Sequence, residues 1–369
     1  MNSLSVRGGS VEVHVADGRI GPPVPDAPVL DAGGLTVAPG FVDLQCNGAV
    51  GIDLSTDPER LWEMAAALPR WGVTAWLPTI VTGPAEVRRR ALTTLRAGPP
   101  DDGRARAAPL GLHLEGPFLA PARRGAHPSE FLAPPDPAVV EREGWVGGVA
   151  LVTLAPELPG ALALVESLVA AGIVVSAGHS DATAAEARAA IDVGVSYVTH
   201  LFNAMAPVHH REPGLAGVAL TDDRVRVGLI ADGIHVDPAV VALAARAVGD
   251  RLTLVTDAVA ALGAPDGPVR LGSQRAEAAS GGVRLADGTL AGSVLPLDRA
   301  VRNLAAFAGV PPDAAIAAAT AAPARVLGCA DRGVLAAGAV GDLVLLDPGG
   351  AVAATVVGGR LAWEAPWRS

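Results

Sequence analysis

Four side chains able to do chemistry stand where apolar runs of the chain break off: Glu115 in PLGLHLEG, His179 in IVVSAGHS, His200 in SYVTHLFN and Asp257 in LTLVTDAV. Two imidazoles and a carboxylate supply the nitrogen and oxygen donors that Zn2+ or Fe2+ accepts while leaving a place for water. Water held in this way has its pKa lowered toward about 7, so a neighbouring aspartate can take a proton and later deliver it to a leaving amine. The chemistry in prospect is metal-assisted hydrolysis, with Glu115, His179 and His200 as ligands and Asp257 as the spare carboxylate. A lone histidine at a strand end is more often a hydrogen-bonded structural residue. The joint placement of the four carries the reading.

That placement needs elements that bring distant residues to one rim. Eight β-branched, apolar runs bounded by turn signals lie at 36–45, 74–81, 109–116, 148–157, 173–180, 196–203, 225–233 and 252–259. Between several of them run Ala- and Leu-rich stretches with helical spacing, among them PERLWEMAAALPRW, ALALVESLVAAG and PAVVALAARAVG. Strands apolar enough to be buried on both faces and alternating with helices imply a parallel sheet, and eight of them predict an α/β fold of the (β/α)8 barrel type. In such a barrel the carboxyl ends of the strands gather catalytic groups on one face.

The flanks read differently. Short alternating strands, VEVHVADGRI near the start and GDLVLLDP with ATVVGGRLAW near the end, predict a small β-sandwich built from both termini. The expected division is 1–38 and 336–369 for the sandwich and 39–335 for the barrel, with a hairpin insertion at 262–292. His113 shares a strand face with Glu115 and is read as structural, and His14 as exposed.

Composition excludes several alternatives. All 28 basic residues are arginine, so a Schiff-base lysine, a pyridoxal anchor, a Walker-type phosphate loop and a carbamylated-lysine metal bridge are all absent. Two cysteines, Cys46 and Cys329, are too few for a disulfide framework or a cysteine-rich zinc site. A net charge of -10 with only small arginine clusters argues against a nucleic-acid partner. Charges interrupt each apolar run before it reaches the roughly 18 residues of a membrane span, and the first residues show neither a basic leader nor an apolar signal core, so a cytoplasmic protein is expected.

The motifs carry a resemblance over nearly the whole length. APGFVDLQCNG, LGLHLEGPFLAPARRGAHP, VTLAPE, SAGHSDAT, THLFNAM with REPGLAG, IADGIHVD, LVTDA, LAGS and GDLVLLD are similar to the segments of the N-acetylglucosamine-6-phosphate deacetylases of the amidohydrolase superfamily. The resemblance implies Glu115, His179 and His200 as metal ligands, Asp257 as catalytic base and acid, and His127 beside the substrate carbonyl, where a donor helps stabilise a developing oxyanion. It implies substrate contacts from Ala126, His127, Asn203, Ala204, Arg211, Asp232, His235, Leu290, Ala291 and Gly292. It further implies a homodimer in which His235 reaches the sugar phosphate bound by the neighbouring subunit. Arg211 also suits a phosphate on its own chemistry, as a fixed fork of donors.

One departure from the wider superfamily matters. Where many of its members end the first strand with His-x-His and hold a second metal, this chain has Gln45, Cys46 and Asn47. Amides are poor ligands beside imidazole, so one divalent metal per subunit is expected, zinc first, with Fe2+, Co2+ or Mn2+ as alternatives. The implied reaction yields D-glucosamine 6-phosphate and acetate, in amino-sugar catabolism or cell-wall sugar recycling. Two rivals stand beside it: a deacylase of a different N-acylated amino sugar, and a non-catalytic barrel serving as an assembly protein.

Overall fold

In the computed structural model, which describes residues 2–279 and 281–366, eight parallel strands form a nearly closed barrel. They are β1 (Phe41–Cys46), β2 (Val73–Val81), β3 (Leu112–Glu115), β4 (Val149–Leu154), β5 (Val174–Ala177), β6 (Val195–Val198), β7 (Arg226–Leu229) and β8 (Leu252–Leu254), each paired in parallel with the next. Between β8 and β1 the ring is completed by a bridge from Cys46 to Ala258 and by Thr256, whose hydroxyl donates to Asp43 Oδ2 at 2.6 Å. This is the expected fold. Nearly every residue of these strands is buried, which is why they read as apolar runs.

The helical stretches form where their spacing places them, at Leu61–Ala67, Ala85–Ala97, Ala161–Ala170, Ala184–Asp192 and Pro238–Val248. Local signals fix their starts. Thr183 and Glu186 make a capping box, and Asp237 accepts from Ala239 N–H ahead of Pro238 in the first turn.

Two expectations are corrected by the backbone. The run at 36–45 is two strands: Thr36–Pro39 pairs with Leu343–Leu346 in a terminal sheet, and β1 then enters the barrel. Gly40 makes the switch between them, because a Cβ there would lie 2.2 Å from Thr74 Oγ1. The insertion is more than a hairpin. It is a four-stranded antiparallel sheet of Gly267–Leu271, Gln274–Ala279, Gly282–Leu285 and Leu290–Ser293.

Both termini contribute to a pair of four-stranded sheets that share a core of Val6, Val13, Val15, Val37, Leu343, Leu345 and Val356. Met1 and residues 367–369, which the domain division includes, and Ser280 of the insertion lie outside the described residues. His14, read as exposed, is half-buried, with Nδ1 2.9 Å from Ser5 Oγ. His113 lies inside the barrel in a chain of polar groups, its Nε2 2.8 Å from Thr153 Oγ1, which is 2.7 Å from Thr199 Oγ1. Burial holds that imidazole down at about 4, so it is neutral.

Candidate metal centre and pocket

The carboxyl ends of β3, β5, β6 and β8 open into one cavity of about 270 Å³ lined by Glu115, His179, His200 and Asp257. The chain turns sharply at three of these residues. His179, His200 and Asp257 have φ of +49°, +28° and +47°, a left-handed conformation that side chains other than glycine adopt rarely and that clusters at functional sites. Gly116 follows Glu115 at φ +85°, where a Cβ would lie 2.2 Å from Thr82 Oγ1. The strand must stop there, and its last carboxylate is left facing the cavity.

Three donor atoms converge. Glu115 Oε1 lies 3.1 Å from His179 Nε2 and 3.0 Å from His200 Nε2, and the two imidazole nitrogens are 3.1 Å apart. All three residues are buried, and their atoms form a group able to hold a metal ion. Arg123 C=O lies 2.9 Å from His179 Nδ1, which places that ring's proton on Nδ1 and leaves the Nε2 lone pair facing inward. Two imidazole nitrogens this close repel if both are bare and repel more if both are protonated. A divalent cation takes both lone pairs and the carboxylate together, so the donor set fits a metal.

The electrostatics agree. Burial pushes Glu115 up, but the bonds from His179 and His200 more than offset it and hold the carboxylate well below its ordinary range. Burial likewise pushes His200 down, and Glu115 overcomes that and raises it. The pocket favours positive charge opposite Glu115. Asp257 stands apart from this group, its Oδ1 accepting from Gln45 Nε2 at 3.1 Å and Asn47 Nδ2 at 2.7 Å. Burial and the charge of Glu115 push it up to about 6.

His127 stands edge-on to His179 with ring centroids 4.4 Å apart. Burial and the neighbouring imidazole hold it down at about 3, so it is neutral. Thr82 N–H donates to its Nδ1 at 3.3 Å, which puts the proton on Nε2. A neutral donor is thus set beside the metal ligands.

The remaining expected contacts divide. Ala126, Asn203, Ala204, His235, Leu290, Ala291 and Gly292 line the cavity with His127. Gly292 is tight against it: at φ +77°, a Cβ would come 2.3 Å from Val259 Cγ1. Asp232 supports the wall from behind, its Oδ2 taking His235 Nδ1 at 2.6 Å and its Oδ1 taking the N–H groups of Ile234 and His235. That bond fixes His235 as part of the wall of its own chain's cavity. Arg211 is the residue the fold leaves outside. It is exposed, with its guanidinium donating to His210 Nε2 at 2.8 Å, and no arginine lines the cavity among the described residues.

Residue-by-residue reading missed parts of the wall. Asp53 lines the cavity and accepts from Gly272 N–H, tying the inserted sheet to the barrel, and Leu271, Thr289 and Val259 add to the wall. Gln274 Nε2 donates to Ala126 C=O, a second tie from the same sheet. These residues meet only because the insertion folds over the rim, and no local spacing announces that. Asn47 also lines the cavity, a place that its being a poor metal ligand does not announce.

Comparison with known proteins places this geometry among relatives. A profile described as "Amidohydrolase family" matches residues 36–362. The chain is 42% identical over 352 residues to N-acetylglucosamine-6-phosphate deacetylase of Bos taurus, covering 90% of this chain and 85% of that protein. It is 39% identical to N-acetylgalactosamine-6-phosphate deacetylase of Escherichia coli O157:H7, covering 95% and 94%. Among solved structures, a variant of N-acetyl-D-glucosamine-6-phosphate deacetylase from Mycobacterium smegmatis in complex with N-acetyl-D-glucosamine-6-phosphate superposes with a TM-score of 0.87 at 37% identity, over 98% of each chain.

Proposed function

Because the chain belongs to the amidohydrolase family, we propose that it hydrolyses N-acetyl-D-glucosamine 6-phosphate to D-glucosamine 6-phosphate and acetate. The observation that carries this is the meeting of Glu115, His179 and His200 with the separate carboxylate Asp257 in one cavity. Glu115, His179 and His200 would hold one divalent cation, zinc first among those that suit two imidazoles and a carboxylate. When bound, the cation supplies Lewis-acid polarisation of an amide carbonyl and lowers the pKa of water.

The chain's own groups do the rest. Asp257 accepts a proton from the attacking water and returns it to the sugar nitrogen as the C–N bond breaks, so one carboxylate serves as base and then as acid. His127 donates from Nε2 to the carbonyl oxygen as negative charge grows there. His127→Gln should lower kcat about 10²- to 10³-fold with little change in KM, measured by steady-state acetate release. A rise in KM alone would assign His127 to ground-state binding.

His235 offers Nε2 to the sugar phosphate, but a dianion calls for more than one imidazole, and no arginine lines the cavity among the described residues. We read the active form as a homodimer, with Arg211 of a second copy completing the phosphate site. Arg211→Ala is expected to raise KM for the phosphorylated sugar about 10- to 100-fold while leaving kcat near its parent value. Residues 1–38 and 336–369 are taken as one small β unit beside the barrel at 39–335. No helix among the described residues is long and apolar enough to cross a membrane. A cytoplasmic location is part of the proposal, in keeping with the metabolic relatives.

Substrate choice tests the reading. Acetate release is compared for N-acetylglucosamine 6-phosphate, its C4 epimer N-acetylgalactosamine 6-phosphate, and unphosphorylated N-acetylglucosamine. The glucosamine phosphate should have the highest kcat/KM, exceeding the unphosphorylated sugar by at least about 10²-fold. Preference for the epimer would move the assignment to the function named for the Escherichia coli relative. Equal rates with and without phosphate would remove the phosphate role.

A further inference from the structure

We infer that Gln45 and Asn47 are positioning residues that fix which oxygen of Asp257 moves the proton. The inference rests on the deacetylase reading for the identity of that reaction and on the geometry of this chain for everything else. Both amides are buried at the end of β1. Gln45 Nε2 donates to Glu115 Oε1 at 2.9 Å and to Asp257 Oδ1 at 3.1 Å, and Asn47 Nδ2 donates to the same Oδ1 at 2.7 Å. Asp257 Oδ1 is therefore held by two N–H groups, and Oδ2 has no hydrogen-bond partner among the described residues.

The chemistry explains why amides suit this place. Glu115 and Asp257 are carboxylates in one cavity, and each disfavours the charge of the other. A primary amide carries two N–H bonds on one nitrogen, so Gln45 donates to both carboxylates at once. A neutral imidazole has a single N–H, and its bare nitrogen would face the second carboxylate. At the end of β1 this chain places donors that brace the base.

The backbone makes the brace rigid. Asp257 N–H donates to Gln45 C=O at 2.9 Å, and Asn47 N–H donates to Ala258 C=O at 2.8 Å. The strand end bearing the amides and the turn bearing Asp257 are thus tied by main chain as well as side chain. With Oδ1 saturated, rotation of the carboxylate would break two hydrogen bonds. Oδ2 stays the oxygen free to exchange a proton with water and then with the sugar nitrogen.

The test replaces each amide by an apolar residue of similar volume, Gln45→Met and Asn47→Leu, with Gln45→Ala and Asn47→Ala made in case either fails to fold. Four readouts are taken: kcat and KM for acetate release, metal per chain by elemental analysis, Tm, and a crystal structure showing the Asp257 side chain. The expected result is a fall in kcat of about 10- to 100-fold with KM within threefold, unchanged metal content and a rotated Asp257 carboxylate. Parent-like kcat in both substitutions would overturn the inference, as would a loss of activity that follows a loss of metal. A rise in KM alone would also overturn it, by making the amides substrate contacts. If the parent protein releases no acetate, the deacetylase reading fails separately, and the inference is still decided by whether Asp257 leaves its rotamer in the variants.

Discussion

Asp257→Asn should leave the metal content of the protein intact and lower kcat by about 10³- to 10⁴-fold, near the top of the range for loss of a positioned acid–base group. The substitution is nearly isosteric, and the donors that hold Oδ1, Gln45 and Asn47, still have an oxygen to bind. What disappears is the ability to take a proton from water and carry it to nitrogen. Glu115, His179 and His200 are untouched, so elemental analysis of the variant should match the parent. The pH profile of the parent adds a signed check. Burial and the charge of Glu115 push Asp257 up to about 6, and a cation bound to Glu115 opposes the second cause and lowers the value. Activity needs the ionised base, so the acid limb of kcat/KM should fall at or below pH 6 and the rate should hold above it. Turnover in Asp257→Asn within tenfold of the parent would remove the assigned role.

Glu115→Gln should abolish both metal binding and turnover, a loss of at least about 10⁴-fold in kcat/KM, because an amide is a poor ligand beside two imidazoles. The carboxylate draws His179 Nε2 and His200 Nε2 together and favours positive charge beside them, and the amide presents two N–H groups where electron pairs are needed. Chelator-treated parent protein should show the same loss, and titration with zinc should restore activity at about one equivalent per chain while restoring none to the variant. The contrast with Asp257→Asn is the point. One substitution removes the metal, and the other keeps the metal and removes the proton carrier.

The barrel was legible because parallel strands buried on both faces read as unbroken apolar runs, and the helices between them carry caps such as Thr183 with Glu186. The run at 36–45 misled for the same reason: hydrophobicity is continuous across Gly40 although the backbone changes sheets there. The ligand group was legible because ionisable residues stand at the ends of apolar strands. Its partners were less so. Gln45 and Asn47 lie more than 200 positions from Asp257, and an amide leaves no periodic signature of what it will touch. The tie from Asp232 to His235 and the exposure of Arg211 were hidden as well, since neither leaves a local pattern in the chain.

The proposed reaction breaks one particular amide bond in this cavity. The most direct measurement follows N-acetylglucosamine 6-phosphate by NMR in the presence of protein whose metal has been counted. Acetate and glucosamine 6-phosphate should appear in equal amounts, over many turnovers, with about one metal per chain. A sugar that stays intact beside fully metal-loaded protein would contradict it.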